Sequence, residues 1–170
     1  TNDAELAERI DHIAFPGLTA NFDVGKTAAL AVTLAEWLTD GARRAQAMIK
    51  CAQRLAAELV SLGVAVHHCG EIATQSHAFA LDARQTGGGS ATALHLRRAN
   101  ILASAIGLPT GGDDGVRIGT NELIRLGATA NDMPGLADLI AQALASSTPE
   151  DLARTVTHWR SKHLETAVTR

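Results

Sequence analysis

The chain has 170 residues, 46% of them hydrophobic and 19% charged, with a formal net charge of −3. That length and balance suit one soluble globular domain with a real core. They offer no basic field for nucleic acid or anionic lipid, and no apolar run is long enough to span a membrane. Cys51 and Cys69 suggest no disulfide framework, and with no signal peptide in sight a cytoplasmic protein with reduced thiols is expected. The sequence starts at Thr1 without Met, which implies trimming or a coding segment upstream.

Asn2 to Ile13 reads as a short helix with Leu6, Ile10 and Ile13 on one side, broken by Phe15-Pro16-Gly17. Gly25 to Thr39 predicts a helix that is apolar almost all round. Such a helix is normally covered on all sides, so a partner surface is expected for it. Ala42 to Leu62 is amphipathic, with Ala45, Met48, Ile49, Ala52, Leu55, Leu59 and Leu62 at three- and four-residue steps, and Gly63 is its natural stop. Val64 to Cys69 and His77 to Asp82 read as strands. Gly87-Gly88-Gly89 is a loop before a helix over Ala91 to Ala103, and Val116 to Ile118 is a third short strand. Helices over Pro134 to Leu144 and Pro149 to His163, each with Pro in its first turn, complete the chain. Long helices first, then a few strands mixed with helices, predict an α+β layer rather than a βαβ array.

Ala20 to Thr27 imitates a phosphate loop, but Phe15-Pro16-Gly17 precedes it where a strand is needed, and Asp23 would repel phosphate. His67, His68, Cys69 and His77 form a metal-like cluster. Neighbours on a strand face opposite ways, however, so satisfied histidines on two faces are the expectation. His158 and His163 read as solvated, Cys51 as a small core residue, and Arg97-Arg98 as a helix-surface pair. Thr120 is placed to cap a short turn containing Glu122 and Arg125. Arg117, between Val116 and Ile118, reads from composition as a strand-surface arginine.

Four separated stretches together resemble the C-terminal third of serine hydroxymethyltransferase, a pyridoxal-phosphate enzyme of the aspartate-aminotransferase fold. They are Phe15-Pro16-Gly17 with the helix ending Ala31 to Glu36, Thr74 to Asp82, Arg98-Ala99-Asn100-Ile101, and Gly115 to Thr120 followed by Arg125 and Gly127. The resemblance implies the small C-terminal domain of a fold-type I pyridoxal-phosphate enzyme: a short antiparallel sheet covered by helices, with long N-terminal helices. Residues 1–39 are then a helical segment that packs on a large domain or partner, and 40–170 the α+β body of a single domain.

The same resemblance implies that Arg117 binds the α-carboxylate of an amino-acid substrate, through the planar fork that suits a carboxylate. It implies aldol-type transfer between glycine and β-hydroxy-α-amino acids. The family's Schiff-base lysine has no counterpart among Lys26, Lys50 and Lys162. The chain is therefore expected to be inactive alone, a fragment or the small subunit of a hetero-oligomer with a larger chain that carries pyridoxal phosphate. The family's phosphate-contacting glycines are replaced by Ala20-Asn21-Phe22. Its folate-reading loop falls on Ser104 to Pro109, with Ile106 where a pterin-contacting Asn belongs, so tetrahydrofolate is doubtful. A folate-independent threonine transaldolase or aldolase subunit is the alternative in the same class. A non-catalytic assembly or regulatory subunit is the alternative outside it.

Overall fold

A computed structural model describes the chain except Ala20, Phe22, Cys69, Gly70, Glu71, Thr110, Thr169 and Arg170, and beyond Lys162 describes the backbone alone. Two compact units divide it, Thr1–Gly41 and Ala42–Arg170.

The first unit is helical. Helix α1, Ala4–His12, is capped by Asp3, whose carboxylate accepts from the Leu6 N–H at 2.9 Å. The expected break follows: Phe15 is extended (φ −144°, ψ 126°) inside the irregular turn Ile13–Leu18. Helix α2, Val24–Ser61, contributes to both units. It replaces the two helices expected over Gly25 to Thr39 and Ala42 to Leu62, because an isolated Gly inside a helical pattern costs only about 1 kcal/mol and Gly41 is tolerated there. At its start Asp23 accepts from the Lys26 backbone N–H at 3.0 Å and pairs with the Lys26 ammonium at 3.4 Å. No described strand leads into this turn, so the resemblance of Ala20 to Thr27 to a phosphate loop ends at the sequence.

The second unit is built on a three-stranded antiparallel sheet in the order β1 (Ala78–Asp82), β3 (Gly115–Gly119), β2 (Ser104–Ile106). Between the strands and after them come α3 (Gly89–Arg98), α4 (Asn121–Arg125), α5 (Met133–Ala145) and α6 (Ala153–Val168). Alternation along the strands turns Phe79, Leu81, Val116 and Ile118 inward. They meet Cys51, Ala52, Leu55 and Leu59 of α2, Leu96 of α3, and Met133, Ala137, Ile140 and Ala143 of α5. Burial pushes the Cys51 thiol up, with the charge of Asp132 adding to it, as suits a core residue.

Two expectations are corrected here. Val64 to Cys69 is not a full strand. Val66 alone bridges to Leu81, flanked by His67 N–H donating to Ala80 O (2.8 Å) and Asp82 N–H donating to Ala65 O (2.9 Å), while Cys69 lies outside the described residues. Helix α3 starts two residues earlier than expected and ends at Arg98. The chain then turns at Asn100, whose φ of 62° an Asn side chain tolerates, and runs into β2, where a loop was expected.

Candidate substrate-carboxylate site on the open sheet face

The register fixes which side chains share a face. Arg117 on the central strand lies opposite Ala80 of β1 and Ser104 of β2, so it faces away from the core side of Val116 and Ile118. The residues beside it are small: Ala78, Ala80, Ser104 and Gly119. The Arg117 side chain is exposed and makes no hydrogen bond or ion pair with a described residue. A guanidinium at the centre of a floor of small side chains is free to meet a planar anion from above.

The other motif residues are engaged by the fold itself. Thr120 is fully buried. Its hydroxyl lies 2.9 Å from Met48 O and 3.0 Å from His77 O, and its N–H donates to His77 O at 2.9 Å. The end of β3 is thereby tied to α2 and to the start of β1. Thr120 makes no side-chain cap to α4, so the capping role expected of it is replaced by this tie; Glu122 and Arg125 pair with each other, Arg125 Nη2 donating to Glu122 Oε1 at 2.6 Å. Asn100 donates to Thr157 Oγ1 at 3.1 Å, and Arg98 reaches Glu150 at 2.7 Å, so the Arg98 to Ile101 stretch fastens the end of α3 to α6 and to the turn Pro149–Leu152 before it. Arg97 carries no such pair, so Arg97-Arg98 splits into one anchored and one solvated arginine. Asp82 accepts from Arg84 Nε at 2.9 Å. The Arg84 side chain and N–H hold the Asp82 carboxyl down to about 2, with the charge of His67 a minor contribution.

The opposite end of β3 is held by glycines. A side chain at Gly89 would run into the Gly115 carbonyl, and the Gly89 N–H donates to Asp113 O at 2.6 Å. Ser90 hydrogen-bonds the Asp113 carboxylate through its hydroxyl. The N-terminus of α3 is thus fastened to the residues just before β3. Gly115 is buried under Leu108 and Ile106: a Cβ there would come within 2.7 Å of Leu108 Cδ2 and 3.1 Å of Ile106 Cγ1. Ile106 pairs with Gly115 and shares the Arg117 face. This apolar closure was hidden in the sequence, because a three-residue strand gives no periodic signal.

The histidines do not converge. Bridging places His67 on the edge of the Arg117 face, with Nε2 covered and without a hydrogen-bond partner; His77 is exposed and uses its carbonyl. No three His, Cys, Asp or Glu side chains group as a metal would require among the described residues. The larger cavities lie elsewhere. One of about 320 Å³ lies against Ile118, Leu126, Ile140 and Trp159, on the core side of β3, and a groove of about 570 Å³ follows Leu94, Arg97 and Leu102 beside β2. Neither includes Arg117, and the chemistry of an exposed, unpaired arginine outweighs their size.

No protein-family model matches the chain. Among curated proteins, an alpha-methylserine aldolase of Variovorax paradoxus is 50% identical over 153 residues, 88% of this chain and 35% of the relative. An alpha-methylserine aldolase of Ralstonia is 44% identical over 94% of this chain and 38% of the relative. A serine hydroxymethyltransferase of Methanopyrus kandleri is 38% identical over 95% of this chain and 39% of the relative. The chain therefore spans somewhat over a third of the length of the curated relatives it matches. A crystal structure of L-threonine transaldolase from Pseudomonas fluorescens superposes with a TM-score of 0.81, covering 95% of this chain and 37% of that one at 20% identity, a likeness of fold. The chain corresponds to the C-terminal domain of serine hydroxymethyltransferase-like enzymes, and its sheet and helices are those expected of the small domain of that fold.

Proposed function

We propose that this chain supplies the amino-acid carboxylate site of a pyridoxal-phosphate enzyme that makes and breaks the bond between the α- and β-carbons of β-hydroxy-α-amino acids. The observation that carries the reading is the contrast within one motif. Thr120 is buried and bonded, Gly115 is covered, and Arg117 between them is exposed and unpaired with any described residue, on a floor of small residues. The names of the relatives, alpha-methylserine aldolase and serine hydroxymethyltransferase, support a hydroxymethyl-bearing amino acid such as serine or α-methylserine as substrate, with glycine or its α-substituted analogue as the partner.

Pyridoxal phosphate, when bound, supplies the electron sink for chemistry at the α-carbon. The residues present fit the substrate side of that arrangement. They do not supply its lysine: Lys26 is paired with Asp23 on the surface of α2, and Lys50 of α2 and Lys162 of α6 are exposed. The cofactor lysine is accordingly assigned to a larger partner chain or domain in a cytoplasmic assembly, and this chain by itself has no aldol activity. Its own contribution is orientation: the Arg117 fork fixes the carboxylate, and the rigid strand behind it fixes the arginine. Ile106 and Leu108 place hydrocarbon where a pterin would need polar partners, and an unpaired buried pterin nitrogen costs about 1–3 kcal/mol. This favours an aldolase or transaldolase that works without tetrahydrofolate.

The test is Arg117→Lys in the assembled enzyme. Losing the fork while keeping the charge should raise the KM for the amino acid by at least about tenfold, with cofactor affinity unchanged. An unchanged KM would return Arg117 to a plain surface role. Borohydride reduction of the isolated chain with pyridoxal phosphate should label none of the three lysines stoichiometrically. Serine cleavage strongly and saturably stimulated by tetrahydrofolate would overturn the folate-free reading.

A further inference from the structure

We infer that Ile106, backed by the buried Leu108, forms the wall that meets the substituent on the substrate's α-carbon, and so sets the preference for α-alkyl over α-hydrogen amino acids. The inference deepens the proposed function and rests on Arg117 holding the carboxylate.

Four of the side chains around Arg117 are too short to touch anything above the sheet. Ala78, Ala80 and Gly119 carry a methyl or nothing, and Ser104 carries a hydroxyl. The other end of β3 is different. Gly115 lies two residues from Arg117, about 6.6 Å along the strand. Its missing side chain is filled by Leu108 Cδ2 and Ile106 Cγ1, which occupy the space at 2.7 Å and 3.1 Å from where a Cβ would stand. Leu108 is only 6% exposed and so is fixed in place; Ile106 is half-buried and keeps a free hydrocarbon surface on the Arg117 face. Gly115 is required for this closure, because any side chain there would displace both residues.

A carboxylate held by both arms of the Arg117 fork leaves its α-carbon one bond further out. The substituents of that carbon then sweep a small circle above the sheet. In the direction of Ala78, Ala80 or Ser104 they meet short side chains, and in the direction of Gly115 they meet Ile106 on the β2 side, while Asp82, paired with Arg84, stands on the β1 side. An α-methyl group turned that way leaves water for hydrocarbon; an α-hydrogen leaves the wall half-empty. A single methyl in an apolar pocket is worth about tenfold or more in discrimination.

The experiment compares kcat/KM for α-methylserine and for serine in the complete, cofactor-loaded enzyme that contains this chain. Ile106→Asn and Ile106→Ala should each lower the α-methylserine-to-serine ratio by about tenfold. Ile106→Val, which removes one methyl and keeps the strand residue type, should lower it by a few-fold in a protein whose thermal unfolding is close to wild type. A ratio unchanged within twofold in all three variants would overturn the wall. Arg117→Lys separates this from the underlying reading, since it should raise KM for both substrates and leave their ratio alone. If Arg117→Lys raises both KM values while the Ile106 variants leave the ratio unchanged, the wall alone is wrong. If Arg117→Lys changes neither KM, the carboxylate site and the wall fall together.

Discussion

The two halves of α2 have similar hydrocarbon content and opposite fates. In the first unit Leu30, Val32, Leu34 and Leu38 are 57–92% exposed, and no described residue of Thr1 to Thr39 is buried. In the second unit Cys51, Ala52, Leu55, Ala56 and Leu59 are 0–1% exposed. Hydrophobicity alone does not bury a helix; an apolar stripe matched to a neighbouring layer does. From Ala42 onward the stripe is narrow, and it shares one core with the sheet, α3 and α5. Before Gly41 the apolar residues run all round, and covering them requires surfaces on several sides.

Truncation in the two halves should give the largest contrast. Leu55→Ala opens a cavity among fully buried neighbours and should cost about 2–5 kcal/mol in urea denaturation of the chain. Leu34→Ala should stay within about 0.5 kcal/mol in the same measurement, and, if the proposed larger chain or domain covers this face, weaken its association in a pull-down. Equal effects on stability would erase the distinction between the halves.

The fastening of β3 comes next. Gly115→Ala must push Leu108 and Ile106 aside, at about 1–3 kcal/mol of overpacking. Thr120→Val leaves Met48 O without its hydroxyl donor and should cost about 1–2 kcal/mol. Both would sharpen the comparison, because the described elements of the first unit are helical and offer no strand to fasten. On the exposed side of α2 the effects shrink. Arg54 and Glu58 pair at 2.7 Å four residues apart, and Glu58→Gln should cost about 0.3–0.5 kcal/mol, fading with added salt.

The Asp82–Arg84 pair gives the smallest effect, visible as a pH dependence. The folded carboxyl sits at about 2, below its unfolded value of about 3.9, so its stabilisation is complete above that value. It is lost as pH falls from about 4 towards 2. Arg84→Gln should flatten this part of the stability profile. A profile unchanged by that substitution would remove the pair from the acid response.

Much of this was legible in the residues themselves. The stripe from Ala45 to Leu59 specified both a helix and its buried face, because helical periodicity is local. Pro16 and Gly17 marked the break after α1, and His77 to Asp82 and Val116 to Ile118 read as strands. The sequence also singled out Arg117 as an arginine in an apolar run. The rest needed the third dimension. Ser104 to Ile106 is a strand because β3 lies beside it, not because three residues prefer to be extended. Thr120 could have been a helix cap from its spacing, and only the approach of Met48 and His77 turned its hydroxyl elsewhere. Ile106, Leu108 and Gly115 meet although up to nine residues separate them, and no local pattern records that closure. Local preference fixes which way a backbone runs and which side of it is apolar; which partners fill that side is decided by contacts between segments distant in sequence, where Arg117 gained an open floor and Thr120 did not.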